Sequence, residues 1–239
     1  MRRINVKLLF CSLGCLLLLC AATVLAHYFQ SGRIAHALLV QADRAENEGH
    51  PEEACRFLSR YLEFVPEDTD QRARLGGLLA SDRIIQGGGS NQRALFVLEQ
   101  VLARDPDRQA SRLLLVKLAL DLQRNELVAG HLKALQESLP DDGEVERLAG
   151  RWHDARGESE EAANYYRQAV RHDPKQIDTY VRLANLLRKR SEEPKASEVP
   201  DSSEVSSTIA EADRLMDQIV SQNEADYRAH LARWQYRRD

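Results

Sequence analysis

Residues 157–174 read Gly-Glu-Ser-Glu-Glu-Ala-Ala-Asn-Tyr-Tyr-Arg-Gln-Ala-Val-Arg-His-Asp-Pro. A glycine opens the stretch and a proline closes it. Between them Ala162, Tyr166 and Ala169 recur at offsets of four and three. Those offsets put the three side chains on one face of a helix. Proline stops a helix because it lacks the N–H and its ring clashes with the preceding turn. The stretch therefore predicts a helix whose apolar stripe begins with a small residue, where a neighbouring helix can approach closely.

The same order recurs on both sides of this stretch. Pro66, Pro106, Pro140 and Pro174 are spaced by 40, 34 and 34 residues. Twelve residues before each proline stand Ala54, Ala94, Val128 and Ala162, and eight before stand Leu58, Leu98, Leu132 and Tyr166. Five before stand Tyr61, Val101, Leu135 and Ala169. A preceding helix in each unit carries a compact residue of its own: Ala42, Gly76, Val116, Gly150 and Ala184. The fifth unit lacks the proline, but Asn223-Glu224-Ala225-Asp226 supplies a turn, and Ala212, Met216 and Ile219 repeat the small-large-large order. A stop every 34 residues divides the chain into equal antiparallel helix pairs.

These residues resemble the tetratricopeptide repeat family. The stretches from Gly49-His50-Pro51-Glu52-Glu53-Ala54 to Pro66 and from Gly157 to Asp173-Pro174 look like the family's turn glycine, buried alanine and closing Asp-Pro. The resemblance covers about residues 35–239. It implies an all-α, right-handed superhelix of helix pairs, with repeats at about 35–68, 69–108, 109–142, 143–176 and 177–226 and a partial one at 227–239. Its packing signature falls on Ala42, Ala54, Pro66, Gly76, Ala94, Pro106, Pro140, Gly150, Ala162, Pro174, Ala184 and Ala212. The aromatic residue common early in the family's first helix is replaced by Leu38, Arg72, Arg112 and Glu146; only Tyr180 keeps it.

The resemblance also implies a binding groove lined by the first helices. Its ninth places carry Asp43, Gly77, Lys117, Arg151 and Asn185, and neighbouring groove positions carry Leu113, Arg147, Val181 and Arg188. Lys117, Arg147, Arg151, Asn185 and Arg188 are thus the candidate partner-binding residues, a basic strip suited to an acidic or extended peptide. The competing reading is an ordinary solvated helical face. The pattern departs from the family's carboxylate clamp for chaperone tails, so such tails are not the expected ligand.

The amino terminus is of a different kind. Leu8 to Ala26 form 19 consecutive residues without a charge. As a helix the run is about 28 Å long, near the hydrocarbon thickness of a bilayer. Arg2, Arg3 and Lys7 precede it and no acid does, so the positive-inside rule puts the amino terminus in the cytoplasm and the repeats outside. A cleavable signal peptide competes, with Val24-Leu25-Ala26 at the cleavage position. The run exceeds the usual signal core, which favours an uncleaved anchor. Three cysteines lie within the run, but the residues around Cys15 and Cys20 fit a lipoprotein signal poorly. Cleavage would make the protein secreted or periplasmic rather than a single-pass protein of the cytoplasmic membrane.

Composition narrows the function. After residue 26 there are 30 basic and 37 acidic residues. Nonspecific nucleic-acid binding needs the opposite balance, and no nucleic-acid partner is expected. Cys55 is the only cysteine beyond the apolar run, so no internal disulfide can form there. Two insertions interrupt the period. Gly87-Gly88-Gly89-Ser90-Asn91 is expected as a loop, and the serine- and acid-rich residues 191–207 as a disordered spacer. There is no H-E-x-x-H pattern, phosphate loop or G-x-S-x-G elbow, and no metal-pair spacing of His or Cys. Catalytic, cofactor and metal residues are therefore not expected. The leading reading is a membrane-tethered scaffold that holds a protein or peptide partner on the outer side of the membrane. Its rivals are a structural stalk, a secreted form, and the front module of a larger protein with a catalytic region beyond Asp239.

Overall fold

A computed structural model describes residues 6–81, 90–192 and 202–238; within these, the side chains of 6–13, 15, 17, 21, 24–29, 202 and 204 lie outside the description. All regular structure among the described residues is helical. The chain divides into two compact units, 1–107 and 108–239.

The first unit holds α1 (Val6–Asn47), α2 (Pro51–Phe64), α3 (Thr69–Leu79) and α4 (Ser90–Arg104). α1 pairs with α2, and α3 with α4. The hairpin crossings are made by small residues. Ala42, Ala54 and Ala94 are fully buried. A Cβ on Gly76 would stand 2.9 Å from Leu98 Cδ2, so glycine is what lets α3 lie this close to α4. Arg72, at the place of the expected aromatic residue, ties the pair instead: it donates to Gln100 Oε1 at 2.6 Å and, with Arg104, to the carbonyl of Pro66. Asp68 caps α3 by accepting from Gln71 N at 3.0 Å, and Tyr61 donates its hydroxyl to the same carboxylate at 2.7 Å.

The second unit holds α5 (Gln109–Asp121), α6 (Asn125–Ser138), α7 (Gly143–Ala155), α8 (Ser159–His172), α9 (Ile177–Glu192), α10 (Ser202–Gln222) and α11 (Tyr227–Arg238). α5 pairs with α6, α7 with α8, α9 with α10, and α11 packs on α9 and α10. A Cβ on Gly150 would meet Tyr166 Cδ1 at 2.5 Å. Ala162, Ala184 and Ala212 are fully buried and share a core with Tyr166, Tyr180, Leu183, Leu187, Met216 and Ile219. At this crossing, Ala162→Leu should overpack the seam and lower stability by about 1–3 kcal/mol. Glu160 is exposed two residues away on the other face of α8, and Glu160→Leu should change stability by less than about 0.5 kcal/mol. Urea melts of the two variants check the assigned faces; equal losses would refute them.

The turns inside three hairpins share one geometry. The backbone N–H groups of His50, Arg124 and Glu158 donate to the carbonyls of Ala45, Ala119 and His153 at 2.8, 2.7 and 3.0 Å. Each closes a Schellman motif over a left-handed residue: Gly49 at φ 78°, Gln123 at φ 57° and Gly157 at φ 75°. Glycine adopts that conformation without penalty, whereas an L side chain pays about 1–2 kcal/mol. Gln123→Gly should therefore raise stability by about 0.5–1 kcal/mol after the entropy of the unfolded chain is set against it. Thermal melts compare the two proteins, and a fall in stability would contradict the turn assignment.

Two expectations change in the structure. Ser90 and Asn91 belong to the first turn of α4, not to the glycine loop; Ser90 is buried and donates to the carbonyl of Leu79 at 2.5 Å, which draws the helix start onto α3. The expected spacer 191–207 is helical at both ends. Ser191 closes α9 by donating to the carbonyl of Arg188 at 2.6 Å, and the serines from Ser202 onward suit the first turns of α10. The remainder of each insertion, residues 82–89 and 193–201, lies outside the described residues. On α11, Tyr227, Leu231 and Trp234 lie away from the seam. They are 74%, 45% and 56% exposed, and Ala229 and Tyr236 on the opposite side are buried.

Among the described residues no helix is long and apolar enough to cross a membrane. Most of the charge-free run 8–26 falls on side chains outside the description, so the expectation of an anchor lies there.

Candidate partner-binding surface

The face expected to bind is built from the first helix of each pair in the second unit: α5, α7 and α9, followed by α11. Lys117 on α5 and Asn185 on α9 are exposed. The three arginines are not free cations. Arg147 is 7% exposed. Its Nε and Nη2 donate to the two oxygens of Glu144 at 2.8 and 2.5 Å, and Nη1 donates to Asp178 Oδ2 at 3.4 Å. Burial opposes its charge, but the two carboxylates outweigh burial and hold its pKa above the ordinary arginine value. Arg151 donates to Asp121 Oδ1 on α5 at 2.6 Å. Arg188 donates to the carbonyl of Tyr236 on α11 at 2.8 Å, and its guanidinium lies 4.0 Å from the centre of that ring.

These contacts have a common sense. Arg151 ties α7 back to α5, Arg147 ties α7 forward to α9, and Arg188 ties α9 forward to α11. Arg182 completes the junction by donating to Asp178 Oδ2 at 2.8 Å. Asp121, Glu144, Asp178 and Arg182 are the members of this ladder that position in the repeat did not single out. The first unit carries a rung of the same kind, where Arg74 on α3 pairs with Asp43 at 2.8 Å and Glu46 at 2.7 Å on α1. The strip is therefore a chain of arginines, two paired with carboxylates and Arg188 with the Tyr236 carbonyl and ring, that locks successive hairpins, with Lys117 and Asn185 left open to solvent. Half-buried Leu113 and Val181 supply apolar area on the same helices.

Cys55, on α2, is 6% exposed, and burial pushes its thiol up to about 11. At neutral pH it is a small apolar filler rather than a nucleophile. His153 is held by Glu158 at 2.6 Å and stacks on Tyr165 with ring centres 5.0 Å apart. Its neighbour Asp154 is exposed.

Helix pairs crossing on small residues, turned by Schellman motifs and locked rung to rung, define a helical-hairpin repeat protein. Residues 88–151 match the family model described as tetratricopeptide repeat. The hairpins on either side of that segment continue the same helical pairing. Three solved structures share the fold. MamA (residue 41 to the end) from Desulfovibrio magneticus is 21% identical, with a TM-score of 0.64 over 80% of this chain and 97% of that one. A further MamA structure is 14% identical, with a TM-score of 0.61 over 81% and 93%. A tetratricopeptide repeat protein from Parabacteroides merdae is 14% identical, with a TM-score of 0.63 over 85% and 72%. No curated protein matches the sequence.

Proposed function

We propose that this chain is a membrane-tethered scaffold that holds a protein partner against the first helices of its second unit, on the outer side of the cytoplasmic membrane. The observation that carries the reading is the ladder of arginine contacts. It fixes α5, α7, α9 and α11 as a pre-organised surface, and ordering a surface in advance reduces the cost of binding. The groups left exposed on it, Lys117 and Asn185, can serve the backbone and side chains of an extended peptide, with Leu113 and Val181 beside them. Because its arginines are already satisfied, the surface favours a partner with few acids over the strongly acidic one that a bare basic strip would select.

The tether reading draws on α1. This single 42-residue helix runs through the charge-free stretch into the first hairpin. Among its described side chains, Ala35, Leu38, Ala42 and Ala45 of the carboxyl-terminal part are buried, while Leu16, Leu18 and Leu19 are 57%, 73% and 64% exposed. Leucines left uncovered on a helix are at home in lipid.

A photo-crosslinking amino acid at Lys117 or Asn185 of the full chain in intact cells tests the surface, with exposed Glu63 on α2 as the control position. One protein crosslinked from both surface positions and not from the control supports the reading; crosslinks that do not distinguish them refute it. Alkaline carbonate extraction tests the tether. A chain that stays with the membrane, and is digested by protease added outside the cytoplasmic membrane, has the proposed topology; a chain released by carbonate lacks the anchor.

A further inference from the structure

At the junction between α6 and α7, and beside the end of α8, three potential metal ligands converge from three different elements. Asp141 lies in the turn after α6, Glu146 in the first turns of α7, and His172 in the last turn of α8. One ligand atom from each lies within 4.8 Å of both others. We propose that Asp141, Glu146 and His172 bind a divalent transition-metal ion of the zinc class, with the remaining coordination positions filled by water.

The spacing fits that chemistry. Ligands about 2.0–2.2 Å from one ion stand about 3–4.5 Å apart, depending on geometry. Here His172 Nδ1 and Glu146 Oε2 are 2.7 Å apart, close enough to share a proton. An ion replacing that proton has to part them by less than about 1 Å, within the reach of side-chain torsions. One imidazole with two carboxylates suits zinc, cobalt, nickel or manganese, whereas calcium and magnesium prefer oxygen ligands alone.

The electrostatics point the same way. Two carboxylates face one imidazole at this point. Glu146 has a side chain only 12% exposed and its carboxylate meets His172. Asp141 brings the second carboxylate to this half-covered pair, and a dication neutralises both. Asp141 stands at φ 63° in the left-handed region, between Pro140 and Asp142, and Asp142 caps α7 by accepting from Glu144 N and Val145 N at 2.9 and 3.0 Å. The turn is thus fixed on both sides of the ligand. The other two ligands sit on α7 and α8, which form one closely packed hairpin, so the three are held on a rigid frame rather than on a floppy surface. The ligands lie five and 26 residues apart in sequence, a spacing that follows from hairpin packing and from no local motif.

The test uses the full chain in detergent with Co2+ and Zn2+ as probes. One Co2+ should bind per chain with visible d–d absorption and be displaced by Zn2+. Asp141→Asn and His172→Ala should each weaken Co2+ binding at least about tenfold. Asp141 is exposed, so its variant keeps the fold, and circular dichroism of both variants checks this. His153→Ala, which removes the other histidine–carboxylate pair of the same hairpin, should leave binding unchanged. Absence of a stoichiometric Co2+ site, or binding that survives both ligand substitutions, overturns the proposal.

Discussion

Tyr166→Ala should destabilise the second unit by about 3–5 kcal/mol, the range for removing a large, fully buried aromatic side chain. Tyr166 is 0% exposed and reaches from α8 onto Gly150 of α7, where no side chain stands in its way. The ring fills that gap and meets Tyr180, Leu183 and Ala184 in the same core, so its loss opens a cavity shared by two hairpins. Repeat arrays are held by nearest-neighbour interfaces, and the loss should appear most strongly as faster amide exchange in α7, α8 and α9. Tyr166→Phe provides the counterpart. Among the described residues no hydrogen bond of good geometry reaches the buried hydroxyl oxygen, and the Arg182 guanidinium lies near it, so removing it forfeits little. Stability should be unchanged or higher by up to about 1 kcal/mol. Burial pushes this hydroxyl up to about 12, so neither variant should alter the pH dependence of stability below pH 10. A Tyr166→Phe protein that loses as much as Tyr166→Ala would place the energy in the hydroxyl and refute the packing account.

The reading from sequence was strongest where one residue answers to one geometric need. Gly76 and Gly150 stand where a Cβ would collide with the partner helix, and Gly49 and Gly157 stand where φ is positive. Such needs recur once per hairpin, so they print a period that can be counted. The charge ladder left a fainter mark. Arg151 and Asp121 are 30 residues apart, Arg147 and Asp178 are 31, and Arg74 and Glu46 are 28. These separations fall one to two helical turns short of the 34-residue period, and they set a charge against the neighbouring hairpin. A search for opposite charges at that offset would have found the partners of Arg147 and Arg151. Position within the repeat alone placed both arginines on the binding face and left their acids unnamed. On α11 the stripe of large apolar residues faces outward. Tyr227, Leu231 and Trp234 have the spacing of a buried face, yet Arg188 reaches over to Tyr236 and fixes the opposite side of the helix inward. Periodicity gives a helix its faces, and only a tertiary contact chooses between them.

Reversing the charge of Arg147 should damage the fold more than any exposed change on the binding face. The side chain is 8% exposed and bridges Glu144 and Asp178. Arg147→Glu would set three carboxylates around a site with little access to water, and removing one partner from a buried pair costs about 3–5 kcal/mol. Arg147→Met keeps most of the buried volume and leaves the two half-exposed acids to solvent, so its cost should be smaller, about 1–2 kcal/mol. Asp178→Asn combined with Arg147→Glu should recover part of the loss, because one of the repelling charges is then gone. Urea denaturation of these proteins, with wild type and Asp178→Asn alone to close the cycle, gives the coupling; a Glu variant as stable as the Met variant would show that the bridge carries no net charge energy. The same arithmetic bears on function. Lost partner capture in Arg147→Glu would report a broken hairpin junction, whereas Lys117→Glu, on an exposed side chain, changes the charge a partner meets while leaving the ladder whole.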